Sequence, residues 1–298
     1  MRSLAGTLTA SISIILAITI LAARIMSSDW DRPLQGIFPT HAADANHFSV
    51  VSWNIERGYR TDRVARFLHA TAPAICLLQE VDLHDRRTDN RDVAHDLARQ
   101  LGYSYAYGIA FQELSQSDHG APAFQGQATL TRFPIARSRI LRFEQQSSFW
   151  KPHTIVPNIP LFQRRQGGRI ALVTDISVGK TTVVVYNLHL ESRSGGAIQH
   201  AQLQEVFADL AHYRAGTPAI IGGDLNSKYN PSAVLKEMQQ QGFTNTFGNQ
   251  IKRTHILIGM LDWIFIRGGW QIQSGSVERG THASDHDPVV AELIRRRE

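Results

Sequence analysis

From about residue 48 to the end, the chain alternates short apolar runs with segments whose apolar residues recur at helical spacing. The runs FSVVSWNI, PAICLLQEV and TTVVVYNLHL are rich in β-branched and aromatic residues and have the length of buried strands. DRVARFLHAT and PSAVLKEMQQQG instead show the apolar period of helices. Strands outnumber helices, and several follow one another directly. The pattern therefore predicts an α/β sandwich, in which two stacked mixed sheets are flanked by helices.

The size of the chain suits one large domain with an ample core. It has 298 residues, of which 43% are hydrophobic and 19% charged. Its one cysteine, Cys76, excludes a disulfide framework and a thiolate metal cluster within the chain. A formal net charge of +5 favours an anionic partner, such as a phosphate ester, a nucleic acid or a lipid surface.

The amino terminus differs from the rest of the sequence. Residues 4–23 contain no charge and are flanked by Arg2 and Arg24. A helix of this length is about 30 Å long, which matches the hydrocarbon thickness of a bilayer. The segment fits an uncleaved membrane anchor, a cleaved signal peptide or a buried helix. Either of the first two would place the remaining domain outside the cytoplasm, facing the periplasm or the exterior.

These observations predict three parts. Residues 1–24 are an anchor or signal segment, residues 25–46 are a linker without clear periodicity, and residues 47–298 are the folded domain. We expect the protein to be a monomer that meets the membrane through its first segment.

Polar residues gather where the predicted strands end. Each alone has an ordinary explanation as a solvated loop residue, a satisfied core histidine or a turn-forming aspartate. Together they include carboxylates suited to Mg²⁺, histidines suited to acid–base chemistry, and amides that can donate to phosphate. In GGDLNS, two glycines predict a tight turn that presents two of them on one side. The set comprises Asn54, Glu56, Glu80, His189, Asp224, Asn226, Asp262, Asp285 and His286.

The ordered motifs SWNI, LLQEV, YNLHLES, GGDLNS, LDWIF and SDHDPV resemble the endonuclease/exonuclease/phosphatase superfamily. That group includes deoxyribonuclease I, abasic-site endonucleases, neutral sphingomyelinases and inositol polyphosphate 5-phosphatases. The resemblance extends from about residue 48 to residue 293. It implies a four-layered α/β sandwich and hydrolysis of phosphoesters with Mg²⁺, for which Mn²⁺ is a usual substitute.

The resemblance also implies a metal site and an acid–base pair. Asn54, Glu80 and Asp285 would lie at the metal, with Glu80 as the principal ligand. His286 would activate water or contact the phosphate, and Asp262 would fix its tautomer.

The remaining roles concern water and the phosphate group. Asp224 would orient or deprotonate the attacking water, and Asn226 would hold a phosphate oxygen. His189 would contact the phosphate or protonate the leaving group, and Arg169 would contact the phosphate. Gln127, in GQATL, stands where the family often has asparagine, and its longer amide could still reach the phosphate.

The predicted activity is therefore a metal-dependent phosphodiesterase that acts on a phospholipid, a nucleic acid or a small phosphodiester. The connection 147–165 mixes aromatic and basic residues, which suits a nucleic acid, a lipid interface or packing on its own domain. The alternatives are a secreted or surface nuclease, a phosphomonoesterase, and a catalytically inactive binding module on the same fold. The last would be expected to lack one of the acidic or histidine site residues, yet all are present.

Overall fold

Two β-sheets form the centre of the fold. A computed structural model of the chain describes residues 30–38, 43–118, 121–147 and 164–296. Nearly all of these residues belong to one unit, Pro33–Glu298. The larger sheet contains, from edge to edge, β1 (Leu34–Gly36), β4 (Ser104–Glu113), β5 (Phe124–Thr131), β3 (Ile75–Leu83), β2 (His47–Arg57), β14 (Val289–Arg295) and β13 (Trp270–Val277), with β7 (Arg165–Gly167) paired to β4.

The second sheet has six strands within the described residues. In spatial order they are β11 (Thr244–Asn245), β12 (Asp262–Arg267), β10 (Ala219–Asp224), β9 (Thr181–His189), β8 (Ile170–Val178) and β6 (Ile135–Arg142). Each sheet contains one parallel pair, β2 with β3 and β9 with β10, among antiparallel neighbours. Because parallel neighbours end at the same edge of a sheet, these two pairs determine where the polar strand ends meet.

Helices cover the outer faces of the sheets. They are α1 (Thr61–Thr71), α2 (Val93–Leu101), α3 (Ala197–Leu210) and α4 (Pro231–Gln240), with a 3₁₀ turn at Arg86–Thr88. The side chain of Asp92 accepts a hydrogen bond from the His95 backbone at the start of α2, and Gly102 ends that helix with a φ of +70°. Asn230 caps α4 in the same way, just before Pro231. The predicted sandwich is confirmed.

The core lies between the sheets. Leu77 from the larger sheet and Val185 and Ile264 from the smaller one are fully buried and are members of the same hydrophobic cluster. At Gly222 the sheets approach so closely that a Cβ atom would lie 2.6 Å from Cδ1 of Leu77. Phe67 of α1 packs edge-on against Trp53 with 5.2 Å between ring centroids, which joins a helix to the outer face.

The apolar segment 1–24 lies outside the described residues, as does most of the connection 147–165. Within the described part of the chain, no helix combines the length and apolar character needed to cross a bilayer. The predicted linker 25–46 contains β1, which pairs with Tyr105–Tyr107 of β4. Part of that interval is therefore a strand of the larger sheet, a role that its lack of periodicity did not indicate.

Candidate active site

Three predicted site residues lie side by side across adjacent strands. His189 ends β9, Asp224 ends β10, and Asp262 begins β12. Asp224 pairs in register with His189 on one side and with Asp262 on the other. Their exposed fractions are only 5%, 2% and 0% in the order His189, Asp224, Asp262. The strand pairing therefore aligns one imidazole and two carboxylates in a buried row.

Gly223 allows the row to form. Its φ is +138°, and a Cβ atom there would lie 1.9 Å from the carbonyl oxygen of Leu188. Only glycine permits this approach of the two backbones. Both glycines of GGDLNS thus belong to strand β10, and the tight turn predicted for them is wrong. The chain turns after Asp224, where Asn226 has a φ of +48°.

His286 completes the row from the loop before β14. Its Nδ1 lies 2.7 Å from Oδ2 of Asp262, so Nδ1 donates to that carboxylate. Its backbone is held as well, because Trp53 Nε1 donates to the His286 carbonyl over 2.8 Å. With Nδ1 engaged, Nε2 faces Asp224, whose Oδ2 is 3.9 Å away. The predicted pairing of Asp262 with His286 is present, with the ring orientation it requires.

The surrounding charges set the protonation of this group. Burial by itself lowers the pKa of His286, but Asp262, Asp224 and Asp285 outweigh it and raise that pKa to about 10. Burial raises the pKa of Asp224 to about 6, against the opposing effect of the His286 charge. At neutral pH, His286 is therefore an imidazolium and Asp224 a carboxylate.

His189 differs from His286 although both face Asp224. Its Nε2 lies 3.5 Å from Asp224 Oδ2. Burial, together with the positive charges of Arg169 and His286, lowers the pKa of His189 well below its usual value. His189 is therefore a neutral imidazole at neutral pH, so the site contains one charged and one uncharged histidine.

Two asparagines fix the Asp224 carboxylate. Asn54 Nδ2 donates to Oδ2 over 3.2 Å, and the Asn226 backbone N–H donates to Oδ1 over 2.9 Å. The Asn226 side chain in turn donates to the Leu190 carbonyl over 3.0 Å. One amide hydrogen of Asn226 is thus used to hold the turn, which leaves the other for a phosphate oxygen.

The predicted metal ligands lie beside this row. Asn54 pairs in register with Gln79 on the parallel strand, so Glu80 follows one residue beyond. Ser284 Oγ donates to the Asn54 carbonyl over 2.7 Å and lies 3.3 Å from Asp285 Oδ1, which links Asp285 to Asn54.

Glu80 has two further features of a functional residue. The ladder of β3 is irregular there, and Glu80 has a φ of +51°, a conformation that costs a non-glycine residue about 1–3 kcal/mol. Its side chain is 20% exposed and that of Asp285 is 43% exposed, unlike the buried Asp224 and Asp262. Two accessible carboxylates and an amide oxygen are donor types that suit Mg²⁺, and Glu80 Oε2 also lies 3.6 Å from Arg57 Nη1.

Sequence reasoning missed His255, which lies between Asp285 and His286. Its ring packs edge-on against that of His286 with centroids 4.7 Å apart, and its Nε2 lies 3.5 Å from Asp285 Oδ2. The backbone N–H groups of Leu257 and Ile258 both donate to its Nδ1, over 3.0 and 3.1 Å.

This arrangement determines the role that His255 can have. Since Nδ1 accepts two hydrogen bonds, the proton of the neutral ring must be on Nε2, which then donates toward Asp285. A protonated nitrogen is no metal ligand, so His255 orients a carboxylate instead. The loop 254–261 has no strand or helix period, and a motif search at strand ends therefore passes over it.

Arg169 and Gln127, the remaining residues predicted to contact the phosphate, differ in their surroundings. Arg169 is buried, with its guanidinium 5.5 Å from the Phe111 ring centroid, and burial lowers its pKa against the opposing charges of Glu80, Glu191 and Asp224. That electrostatic coupling places it near the site. Gln127 Nε2 donates to the Ile170 carbonyl over 2.9 Å. Its Oε1 is buried without a hydrogen-bond partner among the described residues. The hydrogen bond to Ile170 joins Gln127 to the neighbouring sheet and not to another site residue.

Several known proteins are similar to this chain in sequence. Sphingomyelinases of Mycobacterium bovis and Mycobacterium tuberculosis are each 30% identical to the chain over 139 residues. The match covers 38% of this chain and 28% of each relative, so the chain spans well under a third of their length.

Solved structures match over more of the chain. An endonuclease/exonuclease/phosphatase from Beutenbergia cavernae has a TM-score of 0.64 at 19% identity, covering 84% of this chain and 72% of its own. TDP2 from C. elegans has a TM-score of 0.57 at 21% identity, covering 85% and 77% respectively. At these identities the likeness establishes the fold.

The sequence profile of the Endonuclease/Exonuclease/phosphatase family extends over both sheets. It matches residues 51–286, from the first strand of the site to its last histidine. The chain therefore belongs to the endonuclease/exonuclease/phosphatase family.

Proposed function

We propose that this protein is a divalent-metal-dependent phosphodiesterase that hydrolyses its substrate by in-line attack of water on phosphorus. One observation carries the proposal: the Asp224 carboxylate lies 3.5 Å from one histidine and 3.9 Å from another that is itself paired with Asp262. Such a buried group of an acid, a base and a neutral donor is more than a stable core requires. It suits proton transfer during displacement at phosphorus.

The different protonation states suggest a division of labour. Asp224, a carboxylate at neutral pH, would orient the attacking water and accept its proton. The imidazolium of His286 would face a non-bridging phosphate oxygen and stabilise the negative charge that develops there. His189, a neutral ring, would donate a hydrogen bond to the phosphate, because a neutral imidazole is too weak an acid to protonate the leaving group. Asn226 and Arg169 would contact the remaining phosphate oxygens.

Glu80, Asp285 and Asn54 would hold the metal ion. Mg²⁺, or Mn²⁺ in its place, would supply neutralisation of the charge on the phosphate oxygens. The protein's own contribution is to keep two accessible carboxylates beside a buried acid–base row, so that substrate binding and proton transfer occupy adjacent positions.

The substrate class is part of the proposal. The sphingomyelinases among the relatives support a lipid phosphodiester, but they match only a limited part of this chain. A secreted or surface nuclease is the competing activity. Catalysis is supported over a binding module by three observations. They are the family membership, the presence of all predicted site residues, and the different protonation states of His189 and His286.

The test is hydrolysis of a panel by the full chain in detergent, with Mg²⁺ and with EDTA. The panel contains sphingomyelin, plasmid DNA, RNA, bis-p-nitrophenyl phosphate and p-nitrophenyl phosphate. We expect metal-dependent hydrolysis of a diester, abolished in His286→Ala. Cleavage of DNA or RNA alone would establish the nuclease, and cleavage of p-nitrophenyl phosphate alone would establish a monoesterase. Folded protein that cleaves nothing would contradict the proposal.

We further propose that the domain acts outside the cytoplasm, delivered by residues 1–24 as an anchor or a cleaved signal. The uncharged run between Arg2 and Arg24 supports this location. Amino-terminal sequencing of the protein from membrane and soluble fractions distinguishes the two cases. Recovery of intact protein in the cytoplasmic fraction would contradict both.

A further inference from the structure

An aliphatic loop projects beside the candidate active site. Ile256, Leu257 and Ile258 are consecutive and are 51%, 84% and 48% exposed. Single exposed apolar residues are common on soluble domains, but three adjacent large ones at a loop tip form a continuous apolar surface. Neither the proposed chemistry nor the stability of the fold uses these side chains.

The three backbone N–H groups of the tip are already paired within the protein. The Ile256 N–H donates to the Asp285 carbonyl over 3.0 Å, and those of Leu257 and Ile258 donate to His255 Nδ1. An exposed loop in water has no need to pair its N–H groups within the protein, because water does so. In an apolar medium each unpaired N–H costs several kcal/mol, so this pairing lowers the cost of moving the tip into such a medium.

The loop is joined directly to the site. His255, within the loop, points Nε2 at Asp285 and packs against His286. Ile256 and Asp285 line the same cleft, of about 650 Å³, in which Arg60, Arg63 and Arg279 lie among the carboxylates of Glu56, Asp285 and Asp287. Arg253, also exposed, precedes the tip. Whatever the aliphatic tip contacts is therefore held at the entrance to the candidate metal site, beside positive charge.

We propose that the loop of residues 256–258 docks on the surface of a phospholipid bilayer. Aliphatic side chains neither stack on bases nor hydrogen-bond to them, which disfavours a nucleic acid. Three side chains are also far short of the roughly 800 Å² that each partner of a stable protein complex buries. Apolar residues flanked by arginines are suited to the interface between acyl chains and anionic headgroups.

Docking would present phospholipid headgroups to the site as its phosphodiester substrates. This assignment of the substrate rests on the proposed function, whereas the docking itself does not. The tip would enter the acyl boundary while Asp285 and His286, on the inner side of the loop, stay at the depth of the phosphates. The docking step itself involves no catalysis, so it can be measured on an inactive protein.

The test places an environment-sensitive fluorophore on the loop. Cys76, the one cysteine of the chain, is buried, so Leu257→Cys directs a thiol-reactive NBD label to position 257. Ile37→Cys provides a matched control, since Ile37 is 88% exposed and follows β1, an edge strand four places from β2. Both labelled full-length proteins also carry His286→Ala and are mixed, in EDTA, with phosphatidylcholine vesicles that contain or lack phosphatidylserine.

We expect a blue shift of the label at position 257 with vesicles, larger with phosphatidylserine, and none at position 37. A label at 257 that stays in water while the protein co-floats with the vesicles would overturn the proposal, because another segment would then bind the bilayer. A blue shift without vesicles would also overturn it. In that case either the chain itself or, if dilution reverses the shift, a second copy covers the loop.

A second variant tests the consequence for activity. Leu257→Asn, at a position 84% exposed, should leave the melting temperature and the hydrolysis of soluble bis-p-nitrophenyl phosphate unchanged. Hydrolysis of phospholipid in vesicles should fall at least about tenfold, mainly through the apparent KM. Loss of both activities together would overturn the docking role, whereas absence of both in the wild-type protein would instead refute the proposed function. Unchanged vesicle hydrolysis would also contradict the proposal.

Discussion

The Nδ1 atom of His286 lies 2.7 Å from Oδ2 of Asp262, and both side chains are buried. A carboxylate in this position does two things at once. It selects the tautomer that leaves Nε2 directed at Asp224, and its negative charge stabilises the imidazolium. Because β12 begins at Asp262, the start of a strand fixes the carboxylate that orients the ring.

Asp262→Asn should therefore reduce kcat on bis-p-nitrophenyl phosphate by about 10²–10⁴-fold with little change in KM. The amide preserves volume but removes the charge, so the protonated ring is no longer stabilised. The measurement is steady-state kinetics on protein whose circular dichroism matches that of the wild type. Asp287→Asn, one residue beyond His286, is the control and should retain activity. Equal losses in the two variants would mean that the loop, and not the Asp262 charge, was disturbed.

Metal removal should abolish activity, and Glu80→Gln should raise the Mg²⁺ concentration needed for half-maximal activity by at least about tenfold. The amide keeps one oxygen donor but loses the charge that attracts a dication. Calorimetric titration of Mg²⁺ into the protein without substrate gives a second readout of the same loss.

Glu56→Gln is the matched control for the metal prediction. Glu56 lines the cleft that contains Asp285, but its carboxylate pairs with Arg60 over 3.2 Å. The Mg²⁺ affinity of the Glu56→Gln variant should equal that of the wild type. If Glu80→Gln bound Mg²⁺ normally while Glu56→Gln did not, the metal would have been assigned to the wrong glutamate.

Much of the fold follows from the sequence because buried strands show in composition. FSVVSWNI and TTVVVYNLHL are largely apolar runs, and both form strands. Asn54 lies near the end of the first strand, and His189 ends the second. The three-residue strand β1 could not be found in this way, since Leu34 and Gln35 are exposed and form no apolar period. Its place depends on pairing with β4, which is a tertiary interaction.

The same distinction applies to the residues of the candidate site, some of which can be predicted from the sequence and some of which depend on tertiary interactions. Residues at strand ends, such as Asp224, can be located because the apolar runs mark where each strand stops. The glycine pair predicts a turn, whereas Gly223 serves a close approach of two backbones, because the sequence does not reveal which of the two requires a glycine. His255 lies in an irregular loop, and its importance arises only from the register that brings it to Asp285.

His255→Asn separates the two contacts of that residue. The Asn side chain can still accept hydrogen bonds from the Leu257 and Ile258 backbones, but it is too short to reach Asp285. We expect an unchanged melting temperature and a Mg²⁺ affinity lowered about tenfold, because an unheld carboxylate is a poorer ligand. Calorimetry without substrate measures the affinity. Wild-type affinity in this variant would limit His255 to shaping the loop.

Two further variants define how His255 acts. His255→Ala removes both contacts and should lower the melting temperature as well as the Mg²⁺ affinity. In an Asp285→Ala background, His255→Asn should cause no additional loss of affinity, because its effect passes through Asp285. Additive losses would instead show that His255 contributes to metal binding on its own. No effect of Asp285→Ala alone would contradict the metal role of Asp285.

A second buried group of charges surrounds Arg87. Asp82 and Arg87 form a double hydrogen bond of 2.6 and 2.7 Å. Asp85 is fully buried and receives no hydrogen bond within the described part of the chain, and its nearest cation is Arg87 Nη2, 3.2 Å from Oδ1. Burial first, and then the neighbouring charge of Asp82, raises the pKa of Asp85 to about 8.

This raised pKa predicts a stability that falls as pH rises. An unfolded aspartate has a pKa near about 3.9, so between about pH 4 and pH 8 the folded state holds a proton that the unfolded state has lost. The stabilisation is complete below about pH 4 and is lost as pH rises through about 8. Asp85→Asn removes this titration, and urea unfolding should find it more stable than the wild type by about 1–3 kcal/mol at about pH 8, with a smaller gain at about pH 5. The exposed Asp89→Asn is the control and should follow the pH dependence of the wild type. Parallel curves for Asp85→Asn and the wild type would mean that Arg87 keeps Asp85 ionised throughout.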